Sequence, residues 1–151
     1  MRGRALVAVA LLALAALPPA PSALAQGRDG DATRLIVEEM SADRAHQMAA
    51  EGKLVLLDIR PPESWSAGGV PEHAETVDFY DPMFYDIVDL LTEGDKSMPI
   101  GLICNTGVRT HHAAEELMKR GYARPVDIAE GIKGSSSGPG WIARGLPMQG
   151  N

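Results

Sequence analysis

Cys104 is the only cysteine in the 151-residue chain, and the residues around it make it a candidate nucleophile. It closes a short apolar run, Ile100-Gly101-Leu102-Ile103, of the length of a buried strand, and Asn105, Thr106, Gly107, Val108, Arg109 and Thr110 separate it from a helical pattern. That order reads as strand, tight loop, helix start. The N–H groups of such a loop and of the first helical turn have no intrahelical acceptor, so they converge on whatever anion occupies their focus. Here the anion is the Cys104 thiolate, stabilised by those donors and by the positive end of the helix. Gly107 permits the tight turn, and Arg109 adds a fixed positive charge able to fork around a sulfur–oxygen group. The competing reading makes Cys104 a small buried hydrophobe at a strand end. Asn105, Thr106 and Gly107 suit a turn better than a core and favour the nucleophile.

The elements that must hold this loop can be read on both sides of it. Leu35 to Val37 is a candidate strand, and Ser41 is placed to cap a helix running to about Ala50, with Gly52 as its stop. Leu54-Val55-Leu56-Leu57 is a continuous apolar run, as expected of a parallel strand buried on both faces. Asp58 and Arg60 end it, and Pro61-Pro62 delay any helix until Glu63. Glu63 to Ala67 reads as a helical turn stopped by Gly68-Gly69, with Trp65 as a core anchor. Thr76 to Phe79 is a further candidate strand, and Phe84, Ile87, Val88 and Leu91 recur at helical spacing in Met83 to Leu91. After Thr110, a residue placed to cap, a helix extends to about Arg120. Val126-Asp127-Ile128 forms a last short strand, Gly134 to Gly140 a loop of flexible composition, and Trp141 to Pro147 a closing helical turn. Alternating strands and helices predict an α/β domain with a mainly parallel sheet of four or five strands, flanked by helices.

The first 25 residues are read as a secretory signal peptide: Arg2 and Arg4, an apolar run from Ala5 to Leu17, then Ala23-Leu24-Ala25 as a small-residue cleavage site. An uncleaved N-terminal anchor is the alternative. Residues 26–33 are a polar, glycine-rich lead-in, and 34–151 form the domain. The formal charge of −6 becomes −8 on loss of the two leader arginines, which makes nucleic acid and anionic membranes poor partners. The expected location is periplasmic or secreted. A lone thiol in such an oxidising compartment cannot form an internal disulfide and is open to oxidation or mixed-disulfide formation. His111 and His112 are adjacent and do not share a helix face, and no partner ligand stands at a metal-binding spacing, so no metal is assigned.

Cys-x-x-Gly-x-Arg-Thr at positions 104–110 resembles the active-site loop of rhodanese-type sulfurtransferases. Asp58-Ile59-Arg60, Ala67-Gly68-Gly69-Val70-Pro71, Glu130-Gly131-Ile132 and Trp141 to Pro147 follow the family's order, so the resemblance spans about Ile36 to Met148 as one rhodanese domain. The chain departs from it where many relatives have histidine in place of Gly69 and a tighter Pro-Gly-Ala in place of Pro71-Glu72-His73-Ala74. The resemblance implies the rhodanese-like three-layer fold, gives Asp58 and Arg60 a bracing role near the site, and puts the Gly134–Gly140 loop on the same side of the sheet as Cys104, where its flexible composition leads us to expect a movable rim.

The activity it implies is sulfur transfer with no cofactor. The Cys104 thiolate takes the outer sulfur of a donor such as thiosulfate, sulfite leaves, and a thiol or cyanide acceptor removes the sulfur from the Cys104 persulfide. Amides from Asn105 to Thr110 hold the negative sulfur, and Arg109 favours anionic donors. A periplasmic redox or sulfur-relay protein is the expected macromolecular partner. Two alternatives stay open. One is a non-catalytic or sulfur-carrier domain. The other is a cysteine phosphatase or arsenate reductase, whose Cys-x5-Arg loop is one residue longer than the spacing from Cys104 to Arg109.

Overall fold

The computed structural model describes residues 35–150. The signal peptide read at 1–25 and the lead-in at 26–33 lie outside the described residues. In chain order the elements are β1 (Glu38–Glu39), α1 (Ala42–Ala50), β2 (Val55–Asp58), α2 (Pro62–Gly68), β3 (Val70–Pro71), β4 (Ala74–Thr76), α3 (Phe84–Leu91), β5 (Ile100–Ile103), α4 (Thr110–Lys119), β6 (Pro125–Asp127), α5 (Gly140–Ala143) and β7 (Met148–Gln149).

Five strands form one sheet in the order β1-β6-β5-β2-β4, and every pairing in it is parallel. Parallel strands joined through helices are covered on both faces, which is why β2 and β5 read as unbroken apolar runs. β5 is central, all four of its residues are buried, and its side chains alternate between the two layers. Ile100 and Leu102 face one core with Leu57, Phe84, Val88, Ala113, Ala114 and Leu117, under α3 and α4. Ile103 faces the other, with Ala42, Ala45, Leu56, Ile128 and Trp141, under α1 and α5. Each fully buried aliphatic side chain contributes roughly 1.5–3 kcal/mol, so β5 is anchored from both sides. Gly101 is a close-approach point: a Cβ there would stand 2.8 Å from Leu54 Cδ2.

Several boundaries differ from the sequence reading. The first strand is Glu38–Glu39, not Leu35–Val37, and it is selected by backbone pairing to Val126 and Asp127. The strand expected at Thr76–Phe79 falls at Ala74–Thr76, leaving Val77 to pack in the core from the loop that follows. α2 starts at Pro62, because proline lacks only an N–H that the first helical turn does not use. Trp65 is only half-buried, and the large anchor of the α1/α5 core is Trp141, which is fully buried. β3 and β7 add a two-stranded antiparallel ribbon that pairs Val70 with Gln149. No helix among the described residues is long and apolar enough to cross a membrane.

Candidate active site

Cys104 is the first residue beyond β5. It is 2% exposed and belongs to the α3/α4-side core, beside Ala113 and Ala114 of α4. The loop after it is fixed by its carbonyls: the Ile132 N–H donates to Cys104 O (2.9 Å) and the Lys133 N–H to Asn105 O (2.8 Å). In a planar trans peptide the N–H points opposite to the C=O. The amides of Asn105 and Thr106 therefore face away from the 132–133 segment. Among the described residues, no N–H from Asn105 to Thr110 donates to a backbone carbonyl.

Two glycines allow the loop to sit where it does. Gly107 (φ +78) would place a Cβ 2.0 Å from Ala129 O, and Gly131 (φ +64) one 2.6 Å from Asn105 O. The 104–107 and 129–131 backbones are thus in direct contact. Thr110, fully buried, donates its hydroxyl to Gly107 O (2.8 Å), so it braces the loop and does not act as the helix cap expected of it. Arg109 is half-buried, and its Nη1 is buried without a hydrogen-bond partner. Asn105 Oδ1 is buried without one too. Val108, by contrast, is 80% exposed, and Thr106 is also exposed.

Asp58 and Arg60 form a buried pair. Arg60 Nε donates to Asp58 Oδ1 (2.9 Å) and Oδ2 (3.0 Å), its Nη2 to Oδ2 (2.6 Å), and Nη2 also to Gly69 O (2.7 Å). With Asp58 fully buried and Arg60 3% exposed, this is no surface ion pair. It ties the end of β2 to the α2–β3 turn. Arg60 also lines a cleft of about 490 Å³ together with Glu63, Ser64, Asn105 and Lys133, and that cleft reaches the loop at Asn105.

Three residues at the site had no role assigned to them from the sequence. Asp127, at the end of β6, lies 3.4 Å from His111 Nδ1 and has its Oδ1 buried without a partner. Burial pushes its carboxyl above the ordinary value, while Thr110 and His111 oppose the shift only in part. Glu130 accepts from the Ala42 N–H (2.5 Å), the Gly140 N–H (2.9 Å) and Arg144 Nε (3.0 Å). Burial would raise its carboxyl, but these donors outweigh it and hold it below the ordinary value. Glu130 caps α1, where the Ser41 side chain makes no capping bond. Lys133 is exposed on the cleft. A strand-end acid such as Asp127 was a usable signal, whereas the partners of Glu130 are too distant in sequence to have given one.

The Gly134–Gly140 loop does lie beside this region. Ser135 Oγ donates to Ala129 O (2.8 Å), the carbonyl that Gly107 packs against, and Ser135 and Gly138 pair as an antiparallel bridge. These bonds tie down a segment whose composition reads as flexible. Of the histidines in α4, His111 is 54% exposed at its side chain, and the His112 ring stands edge-on to Phe79. The one cluster among the described residues able to hold a metal ion is elsewhere, at His46, Glu72 and His73.

Residues 41–137 match the family described as Rhodanese-like domain. The chain belongs to that family. The match runs from the residue before α1 to the Ser135–Gly138 turn and takes in both the Cys104 loop and the Asp58–Arg60 brace. A protein named sulfurtransferase from Allochromatium vinosum is 29% identical to this rhodanese-like chain over 114 residues, covering 75% of this chain and 95% of that one. The crystal structure of Rv0390 from M. tuberculosis superposes with a TM-score of 0.59 at 22% identity, over 76% of this chain and 98% of that one. The polysulfide-sulfur transferase homodimer from Wolinella succinogenes superposes with a TM-score of 0.52 at 21% identity, over 75% and 78%. At these identities the two structures show the fold alone, while the family match places the chain among rhodanese-like domains.

Proposed function

We propose that this rhodanese-like chain moves sulfane sulfur from a small donor such as thiosulfate to a thiol or cyanide acceptor through a persulfide on Cys104. The observation that carries the reading is the row of N–H groups from Asn105 to Thr110 left without backbone acceptors beside the one cysteine, those of Asn105 and Thr106 turned away from the Ile132 and Lys133 amides that bond the carbonyls of their peptides. Backbone donors fixed in this way stabilise an anionic sulfur without reorganising.

In the first step the Cys104 thiolate attacks the outer sulfur of thiosulfate, the S–S bond of the donor breaks, and sulfite departs with the electron pair. Cys104 is left as a persulfide anion under the same amides. In the second step cyanide attacks the terminal sulfur, thiocyanate leaves, and the thiolate is restored. Arg109, with an unpartnered buried Nη1, offers its charge to the sulfonate oxygens of the donor. Asp58 and Arg60 hold the neighbouring β2 end and touch no reacting atom. The four residues between Cys104 and Arg109 make a smaller ring than a phosphatase loop, which fits one sulfur better than a tetrahedral phosphate.

The near-complete burial of Cys104 favours a second reading, a sulfur carrier that hands its sulfur to a docked partner protein. One paired assay separates the two. Thiosulfate treatment followed by mass spectrometry should add one sulfur atom to the protein, lost in Cys104→Ser. Cyanide should then release thiocyanate over many turnovers for the enzyme, and not for the carrier. Turnover of a phenyl phosphate ester that disappears in Cys104→Ser would overturn both. Export to a periplasm or beyond is also proposed, from the Arg2 to Ala25 leader, and N-terminal sequencing of the exported protein should begin at Gln26.

A further inference from the structure

His46 on α1 and Glu72 and His73 in the turn between β3 and β4 bring ligand atoms within 4.8 Å of one another. His46 Nε2 lies 2.9 Å, and His73 Nε2 3.5 Å, from the same oxygen, Glu72 Oε2. The two imidazole rings stack with centroids 5.6 Å apart, and His46 stands edge-on to the buried Trp141 at 5.4 Å.

We propose that His46, Glu72 and His73 form a zinc-class transition-metal site, with water completing the coordination. The donor set argues for the ion: two imidazole nitrogens and one carboxylate suit Zn²⁺ and its neighbours, whereas Ca²⁺ and Mg²⁺ take shells of oxygen. The spacing argues for it as well. Ligand atoms about 2.0–2.1 Å from a tetrahedral ion stand about 3.3 Å apart, and the observed 2.9 and 3.5 Å fall on either side of that value. Side-chain exposures of 22%, 40% and 43% leave the cluster open to solvent on one side, while Trp141 fixes the His46 ring.

A simple His46–Glu72 hydrogen bond would explain two of the three residues. It leaves out His73, whose Nε2 approaches the same Glu72 oxygen at 3.5 Å from a left-handed backbone (φ +66) that histidine accepts more readily than most residues. Placing a second imidazole there, on the oxygen that His46 already meets, supplies the third ligand.

The site is separate from the Cys104 loop. Strand pairing aligns Ala74 with Leu56 and Ile103 with Asp58, so His73 lies toward the N-terminal ends of the strands and Cys104 toward the C-terminal ends, about 13 Å further along. A bound ion would therefore clamp α1 to the β3–β4 turn and would not meet the reacting sulfur.

Titration calorimetry of the untagged full chain with zinc chloride tests this. One ion should bind per chain, magnesium should not compete, and at a hundredfold excess over Kd the melting temperature should rise by roughly 10 °C. His46→Gln and His73→Asn, the latter chosen because asparagine tolerates a left-handed backbone, should each weaken binding at least tenfold. Cys104→Ala and His111→Gln should bind as the unchanged chain does. No binding overturns the proposal, and so does binding that survives both cluster variants or disappears with Cys104→Ala.

Discussion

Gly107 and Gly121 share a left-handed backbone, at φ +78 and +89, but differ in what a methyl group would meet. At Gly121 nothing lies within 4 Å, whereas at Gly107 the Cβ would sit 2.0 Å from the Ala129 carbonyl oxygen, which is backbone and cannot turn aside. Gly121→Ala should therefore cost about 1 kcal/mol from conformation alone, and Gly107→Ala about 3 kcal/mol or more because the loop or the 129–131 segment must also shift. Urea unfolding of both variants checks the difference, and equal losses would contradict the close packing of the loop. Asp127 yields a prediction in pH. Burial raises its carboxyl above the ordinary value, with Glu39 on β1 adding to the shift and Thr110 and His111 opposing it. The folded state thus holds the proton more tightly than the unfolded chain does. The resulting stability is fully present below the unfolded pKa and is lost as pH rises through the folded one. Asp127→Asn should be more stable than the unchanged protein at pH 7, with the advantage fading as pH falls toward the ordinary carboxylate range. A less stable variant at pH 7 would mean that the contact with His111 outweighs burial.

Glu130 joins α1 and α5, which no sequence pattern connects, to the segment after β6. It accepts from the first N–H of α1, 88 residues away, from the first N–H of α5, and from Arg144 just beyond α5. Because its folded carboxyl lies below the ordinary value, its contribution is present above the unfolded pKa and is lost as pH falls through the folded one. Glu130→Gln should lower stability at pH 7 by roughly 2 kcal/mol, the scale of a charge-assisted hydrogen bond, and the difference should close in acid. Denaturant midpoints at pH 7 and in acid test it, and a pH-independent loss would point to packing. The same contrast explains what the sequence made legible. β2, β5, α3 and α4 carry their own patterns, continuous apolar runs or helical spacing, and they form within a residue or two of where those patterns lie. β1 and β4 are edge strands of two and three mostly exposed residues, set by register with β6 and β2, so apolar Leu35–Val37 and Val77 misplaced them. The Cys104 loop was readable because Cys104, Gly107 and Arg109 are close in sequence. The backbone contact with Ala129 and Gly131, and the cluster of His46 with Glu72 and His73, depend on the fold.

At the scale of the whole molecule, the proposed donor must approach a surface of its own sign. The chain carries a formal charge of −6, or −8 once the proposed leader is lost, and thiosulfate is a dianion, so the distant field repels it. Lys133 on the cleft and Arg109 in the loop act in the opposite direction over a few ångströms. Salt distinguishes the two ranges. The screening length is about 30 Å at 0.01 M, enough for the whole surface to be felt, and about 8 Å at 0.15 M, where mainly the nearby cations remain. Raising the ionic strength across that interval should therefore increase kcat/KM for thiosulfate several-fold, and thiocyanate formation from a preloaded persulfide by less, because the attacking cyanide anion carries one charge where thiosulfate carries two. Steady-state kinetics for the first half-reaction and single-turnover kinetics for the second provide the comparison. A steady fall in kcat/KM with salt would show that the local cations govern approach from the start, and charge reversal at Lys133 should then deepen the loss beyond that of any other exposed lysine.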